Sequence, residues 1–203
     1  MGFDKFVSKH LRNPKGLRGK LVSAVMNKQN IPMYNATIEL LKPSDNDIIL
    51  DIGCGNGYML NMLAKQYGGV YFGIDTSKSI LRAAKRLNNE FIKSGRITLL
   101  NQNLDSMSFT KKSFDKIYTV NTVYFWEDLD KTMNEICRLL KPNGLFVNTL
   151  FSNETLSRLS HTKYGYKRFS LAQLSDAGTK AGFKVSIKSI LNDAAYCITY
   201  TVV

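Results

Sequence analysis

From about residue 46, short runs of β-branched and aromatic residues alternate with stretches whose apolar positions recur every three or four residues. The runs predict strands at 48–52, 70–74, 97–100, 114–120 and 145–150. Between them, Leu60, Leu63 and Ala64 mark one face of a helix from Gly57 to about Tyr67. Ser77 caps a second helix carrying Ile80, Leu81, Ala84, Leu87 and Phe91, which Gly95 stops. A third runs from Asp128 to Leu140 with Leu129, Met133, Ile136 and Leu140 in phase, and Lys141-Pro142-Asn143-Gly144 ends it in a turn. Strands separated by helices of this length are the pattern of a parallel sheet with crossover connections.

The rhythm changes after residue 150. The stretch 153–169 reads as polar and irregular, and a helix capped by Ser170 covers 171–181 up to Gly182. Strands at 183–190 and 195–202 are joined only by Leu191–Ala194, too short for a crossover helix, so they predict an antiparallel hairpin. The fold expected is α/β, a doubly wound, mostly parallel seven-stranded sheet with a C-terminal antiparallel hairpin. One domain over 1–203 accounts for it: an N-terminal helical lid (1–45), a cofactor-binding core (46–150), and a lid segment, helix and hairpin (151–203).

Composition narrows the classes. The chain has 203 residues, 44% hydrophobic and with four prolines, the make-up of an ordinary globular protein. No apolar stretch approaches the roughly 18 residues that span a bilayer, and the N-terminus lacks the apolar core of a secretory signal, so a cytoplasmic protein is expected, with no membrane partner. Cys54, Cys137 and Cys197 are far apart and form no Cys-x-x-Cys pair, which predicts reduced thiols. With two histidines, His10 and His161, no metal site is expected. The net charge of +12 gathers partly at Lys5, Lys9, Arg12, Lys15, Arg18, Lys20 and Lys28, a candidate arm for nucleic acid.

The chemistry concentrates in Asp51-Ile52-Gly53-Cys54-Gly55-Asn56-Gly57, between a buried strand and a helix, the setting of a nucleotide-binding turn. A dinucleotide fingerprint is G-x-G-x-x-G. Here the third glycine comes one residue early, and Tyr58 holds the later position. Asp75 ends the second strand about 20 residues on, where a carboxylate can accept both hydroxyls of a ribose. The acidic-x-G-x-G-x-G order resembles motif I of the class I S-adenosylmethionine-dependent methyltransferases. Gln102-Asn103-Leu104-Asp105-Ser106-Met107-Ser108-Phe109 resembles that family's G-D-A-x-x-L-P-F, beside the adenine, with Asn103 at its acidic position and Asp105 as the alternative. Ser113-Phe114-Asp115-Lys116-Ile117 resembles S-F-D-x-V, and Glu135 to Gly144 resembles E-x-x-R-V-L-K-P-G-G, a structural motif anchoring a helix to strand five. The chain is thus similar to the type 11-like bacterial members, and its leader, Leu11–Leu17 and Met26–Asn30, also looks like that of some of them.

The resemblance implies a Rossmann-like methyltransferase fold, S-adenosylmethionine as cofactor, and Asp51, Gly53, Gly55, Gly57, Tyr58, Asp75, Thr76, Asn103, Leu104 and Asn121 around it. Methyl transfer is an in-line displacement that needs positioning and dehydration, and a base only where the acceptor holds a proton tightly. No triad is visible. Candidates for the acceptor pocket are Tyr34, Asn121, Tyr124, Trp126 and His161, with Tyr164, Tyr166 and Phe169 in the covering segments. Tyr124 and Trp126 either line that pocket or pack against a helix, and His161 is either a base or a solvated loop residue. Asn121 and Tyr124 have the spacing of the N-P-P-Y motif of amine-methylating enzymes but lack both prolines. The acceptor expected is a small molecule. The alternatives are an RNA-directed enzyme using the basic arm and a non-catalytic S-adenosylmethionine-binding protein, while a nicotinamide oxidoreductase is disfavoured by the glycine spacing.

Overall fold

The computed structural model describes residues 16–104, 108–163 and 165–203, with side chains described from residue 27 onward except that of His161. The basic residues Lys5 to Lys15, the leader residues Leu11–Lys15, Asp105 and Tyr164 lie outside the described residues.

The elements in chain order are α1 (Gly16–Leu41), β1 (Ile48–Ile52), α2 (Tyr58–Gln66), β2 (Val70–Ile74), α3 (Lys78–Leu87), α4 (Asn89–Lys93), β3 (Ile97–Leu100), β4 (Phe114–Val120), α5 (Leu129–Leu139), β5 (Leu140–Phe151), α6 (Asn153–Arg158), α7 (Leu171–Lys180), β6 (Phe183–Ile190) and β7 (Ala195–Val202). The strands form one seven-stranded sheet in the order β3-β2-β1-β4-β5-β7-β6. β1 pairs in parallel with β2 and β4, and β4 with β5. β7 runs antiparallel between β5 and β6. The order reverses at β1, the topological switch beside which α/β sheets bind ligands.

Helices cover both faces. On one, Leu60 and Leu63 of α2, Leu81 of α3 and Ile38 and Leu41 of α1 pack on Ile49, Tyr118 and Val147. On the other, Met133, Ile136 and Leu139 of α5 and Leu174 and Ala177 of α7 pack on Leu50, Ile117, Phe146 and Ile198. Each fully buried aliphatic side chain contributes about 1.5–3 kcal/mol. α1 is pinned by a buried chain of hydroxyls: Thr37 Oγ1 bonds the Met33 carbonyl and Thr149 Oγ1, each at 2.7 Å, and Thr149 meets Cys197 Sγ at 3.3 Å.

Three local expectations need correction. The stripe from Ile80 to Phe91 is not one helix, because Asn88 leaves helical geometry and separates α3 from α4. The Asn88 amide donates instead to the carbonyls of Gly57 and Ala84, at 3.1 and 3.0 Å. β5 begins at Leu140, so Lys141–Gly144 lie within the strand at a register shift opposite Phe114–Lys116. Asn143 still adopts the left-handed conformation, φ 62°. The stretch 153–169 is not wholly irregular: Ser152 caps α6, and a 3-10 turn, Ser160–Lys163, follows.

Candidate functional site

The site is built at the carboxyl ends of β1, β2 and β4. Gly53, Gly55 and Gly57 all have positive φ, 74°, 54° and 71°, which lets the chain turn back sharply after β1. Their surroundings differ. A Cβ on Gly53 would collide with the methyl of Thr122, and one on Gly57 would stand 2.6 Å from Asn88 Nδ2. Those two positions are small so that protein can pack on protein. At Gly55 the nearest atom would be Ile80 Cδ1 at an ordinary 3.7 Å, so this glycine alone of the three leaves room beside the backbone.

Asp75 closes the turn from the other side. Its Oδ2 accepts the Gly55 amide at 3.0 Å and its Oδ1 the Ser77 amide at 2.8 Å. Burial raises its pKa above the ordinary value, against those two bonds. Ionised, it keeps about two further lone-pair sites of the four a carboxylate has. Asn101 fixes the same corner, donating to the Asp75 carbonyl at 2.9 Å.

Asp51 lies under the turn, 4% exposed, and accepts the Tyr118 hydroxyl at 2.9 Å. Burial drives its pKa up to about 8; the Tyr118 bond opposes the rise and the charge of Asp75 adds to it. The two residues are register partners in β1 and β4, a parity that marks them as neighbours once the strand pairing is known.

α1 comes down on this end of the sheet. The ring of Tyr34 lies 6.0 Å from that of Tyr58, and burial pushes its phenol up to about 12, against a hydrogen bond with Asn30. Asn121, at the end of β4, is left-handed at φ 57°. Its Nδ2 donates to Asn30 Oδ1 at 3.2 Å and approaches Met33 Sδ at 3.4 Å. Its Oδ1 accepts the Phe151 amide at 3.3 Å and the Tyr124 hydroxyl at 3.1 Å. The Tyr124 hydroxyl in turn accepts the Phe151 amide at 2.6 Å.

Asp51, the three glycines, Tyr58, Asp75, Tyr34 and Asn121 are therefore brought together. Thr76 and Asn103 sit on the exposed rim, and Leu104 packs against the core. Trp126 takes the packing alternative: it is 5% exposed and its ring stacks on Phe146 at 6.3 Å. Tyr124 is buried as well, against Tyr166 at 5.6 Å, and burial raises its pKa strongly. Phe169 is partly buried against the core. His161 falls in the 3-10 turn, its side chain outside the described residues. Arg138 anchors α5 to the segment before β4 rather than to β5, holding Glu135 at 2.7 Å and the Phe109 carbonyl at 3.0 Å. Lys141, paired with Asp115 at 2.8 Å, makes the link between β5 and β4.

Asn30, Thr122, Asn88 and Tyr118 shape the site without any sequence signal of function. Two open concavities, of about 430 and 320 Å³, lie away from the glycine turn, between the start of α5 and α7 and beside Tyr166. The turn itself is covered by α1. Among the described residues no group of three or more His, Cys, Asp or Glu side chains is placed to hold a metal, and no helix is long and apolar enough to cross a membrane.

A parallel sheet closed by an antiparallel seventh strand, with this glycine turn at its switch point, defines a Rossmann-like methyltransferase fold. Residues 50–148 match the family described as Methyltransferase domain. The chain is 27% identical over 176 residues to the uncharacterized methyltransferase YdaC of Bacillus subtilis, covering 86% of this chain and 94% of YdaC. It spans less than half of several longer curated relatives. A methyltransferase solved in complex with the Haloferax volcanii Trm112 activator superposes with a TM-score of 0.78 at 21% identity, covering 88% of this chain and 92% of that one. The Streptomyces coelicolor geranyl diphosphate C-methyltransferase, solved with S-adenosyl-L-homocysteine, gives 0.74 at 15%, covering 84% and 75%. The chain belongs to the class I S-adenosylmethionine-dependent methyltransferases. It is an enzyme of that family, with S-adenosylmethionine as its cofactor.

Proposed function

We propose that this chain moves the methyl group of S-adenosylmethionine to a small-molecule acceptor by in-line displacement, in the cytoplasm, beneath a cover made by residues 1–45 and 151–170. The observation that carries this is the pairing of Gly55 with Asp75: an open approach to the backbone beside a carboxylate with acceptor sites to spare. Asp75 suits a ribose diol. Asp51, Tyr58 and Tyr34 border the methionine end, and Thr76, Asn103 and Leu104 the rim where the base would lie. The bound cofactor supplies an electrophilic methyl on a sulfonium. The chain supplies placement and exclusion of water. A small acceptor is favoured because α1 already occupies the approach, through Tyr34 over Tyr58 and Asn30 on Asn121. A structured RNA would have to displace that helix.

The test is transfer of tritiated methyl from S-adenosylmethionine to a desalted low-mass cell fraction and, separately, to total RNA. Label in the low-mass fraction is expected. Label confined to RNA would favour the basic arm as the recognition element, and no label from a protein that binds the cofactor would favour a non-catalytic binder.

A further inference from the structure

Two amides lie buried between α2 and α3, one of them where the Ile80–Ala84 stripe of α3 would continue with an aliphatic side chain. Asn88, the C-cap of α3, is 0% exposed, and Asn61 of α2 is 9% exposed. A buried amide is stabilising only when its hydrogen-bonding groups are met. Asn88 Nδ2 faces two carbonyls, that of Gly57 at 3.1 Å and that of Ala84 at 3.0 Å. A carbonyl only accepts, so the NH2 must stand there and Oδ1 must point away. That Oδ1 accepts Asn61 Nδ2 at 3.1 Å, which also reaches the Leu87 carbonyl at 3.4 Å. The pair ties the last residue of the glycine turn to the end of α3.

The same face of α3 meets the turn along its length. Ile80, Ala84 and Asn88 are spaced by four residues and so lie one above another. At Gly57 the fit is tight: a Cβ there would stand 2.6 Å from Asn88 Nδ2 and 3.1 Å from Ala84 Cβ. At Gly55 it is open, with Ile80 Cδ1 at 3.7 Å. The start of α3 is held separately, by the Ser77 amide on Asp75 Oδ1 at 2.8 Å. The glycine turn and α3 are thus two sides of a slot that closes at Gly57 and opens at Gly55, beside the carboxylate. A clamp at the closed end fixes how far apart the sides stand at the open one.

On the reading of Gly55 and Asp75 given above, we infer that Asn88, backed by Asn61, is a positioning residue for S-adenosylmethionine. It acts through Gly57, from behind the turn, and sets the width of the slot that the cofactor enters. A cross-link that served the fold alone would add stability and leave the affinity of the folded protein unchanged. A positioning clamp adds both, because a slot free to widen has to be ordered again on binding.

The experiment titrates the full chain with S-adenosylmethionine by calorimetry, well below the melting temperature, in wild type, Asn88→Leu, Asn61→Ala and Leu174→Ala. Leu174 is fully buried on the opposite face of the sheet, so its truncation removes stability remote from the turn. Asn88→Leu continues the apolar stripe and removes the clamp, and affinity should fall about tenfold or more. Asn61→Ala leaves the bonds to Gly57 and Ala84 but takes away their backing, for a loss of about threefold. Leu174→Ala should bind within about twofold of wild type, however far its melting temperature drops. A cycle with Gly57→Ala gives a second readout. Its methyl meets Asn88 Nδ2 in the wild type and displaces the turn; in Asn88→Ala its nearest neighbour is Ala84 Cβ, at 3.1 Å. The two affinity losses should therefore sum to more than the double variant shows. Folded Asn88 and Asn61 variants that bind as the wild type does would overturn the inference, as would losses matched by Leu174→Ala or strict additivity in the cycle. Should Asn88→Leu not fold, Asn61→Ala set against Leu174→Ala decides the matter alone. A folded wild type that takes up no S-adenosylmethionine would instead overturn the reading of Gly55 and Asp75 on which the inference rests.

Discussion

Asp75 accepts the Gly55 amide at 3.0 Å, so the residue suited to a ribose also fixes the loop that receives the rest of the ligand. Two jobs meet in one carboxylate. Asp75→Asn keeps one oxygen for Gly55 or Ser77 but loses the charge-assisted bonds to a diol. Calorimetry should show about a tenfold to hundredfold weaker affinity for S-adenosylmethionine, the equivalent of roughly 1.5–3 kcal/mol. The unliganded melting temperature should fall far less in Asp75→Asn than in Asp75→Ala.

The turn glycines separate folding from binding. Gly53→Ala places a methyl into Thr122 at a left-handed φ and should destabilise the fold by about 2–5 kcal/mol. Gly55→Ala meets only Ile80 Cδ1, at an ordinary 3.7 Å, and carries the conformational strain alone, about 1 kcal/mol, yet it narrows the approach to the ligand. Denaturant unfolding set beside cofactor titration checks the contrast. Equal losses of stability in the two variants would contradict it.

Asp51 predicts an unusual pH dependence. Its folded pKa of about 8 stands above the unfolded value near 3.8, so between those limits the folded state holds a proton that the unfolded chain has released. Its contribution is complete below pH 4 and is lost as pH rises through 8, at up to about 1.4 kcal/mol per pH unit. Asp75, raised as well, adds in the same direction above its own unfolded value. The unliganded protein should lose stability from pH 5 to 8, and Asp51→Asn should flatten that slope in urea melts.

Arg96 is predicted to matter for the fold and not for the chemistry. Its guanidinium donates to the carbonyls of Ala64, at 2.9 Å, and of Tyr67, Gly68 and Gly69, collecting the orphan acceptors at the end of α2, and it lies 5.4 Å from the centre of the Phe91 ring. Arg96→Ala should cost about 2–4 kcal/mol. Arg96→Lys should recover little, since an ammonium cannot span four carbonyls. Cofactor affinity measured well below the melting temperature should be unchanged in both.

The sheet was legible because each strand is a short run rich in β-branched and aromatic residues between turns, and because Leu191–Ala194 is too short to cross back over the sheet. Strand limits at 48–52, 70–74, 97–100, 114–120, 183–190 and 195–202 are those of the structure. What escaped was set by contacts distant in sequence. Asn88 breaks its helix because its amide finds the Gly57 carbonyl, 31 residues away. β5 extends back to Leu140 because Phe114 pairs with it. The glycine turn and Asp75 could be picked out by spacing alone. That Gly53 and Gly57 accommodate Thr122 and Asn88, leaving only Gly55 open, could not, and neither could the part played by Asn30, which ends the leader stretch Met26–Asn30 one helical turn before Tyr34 and carries no role in that resemblance.

The most direct measurement is a calorimetric titration of the purified chain with S-adenosylmethionine, run beside Gly55→Asp and with NAD as a control. The structure predicts saturable one-to-one binding by the wild type, its loss in a Gly55→Asp protein that still melts cooperatively, and no heat from NAD. A folded wild type that ignores S-adenosylmethionine, or that takes NAD instead, would contradict the assignment of this turn.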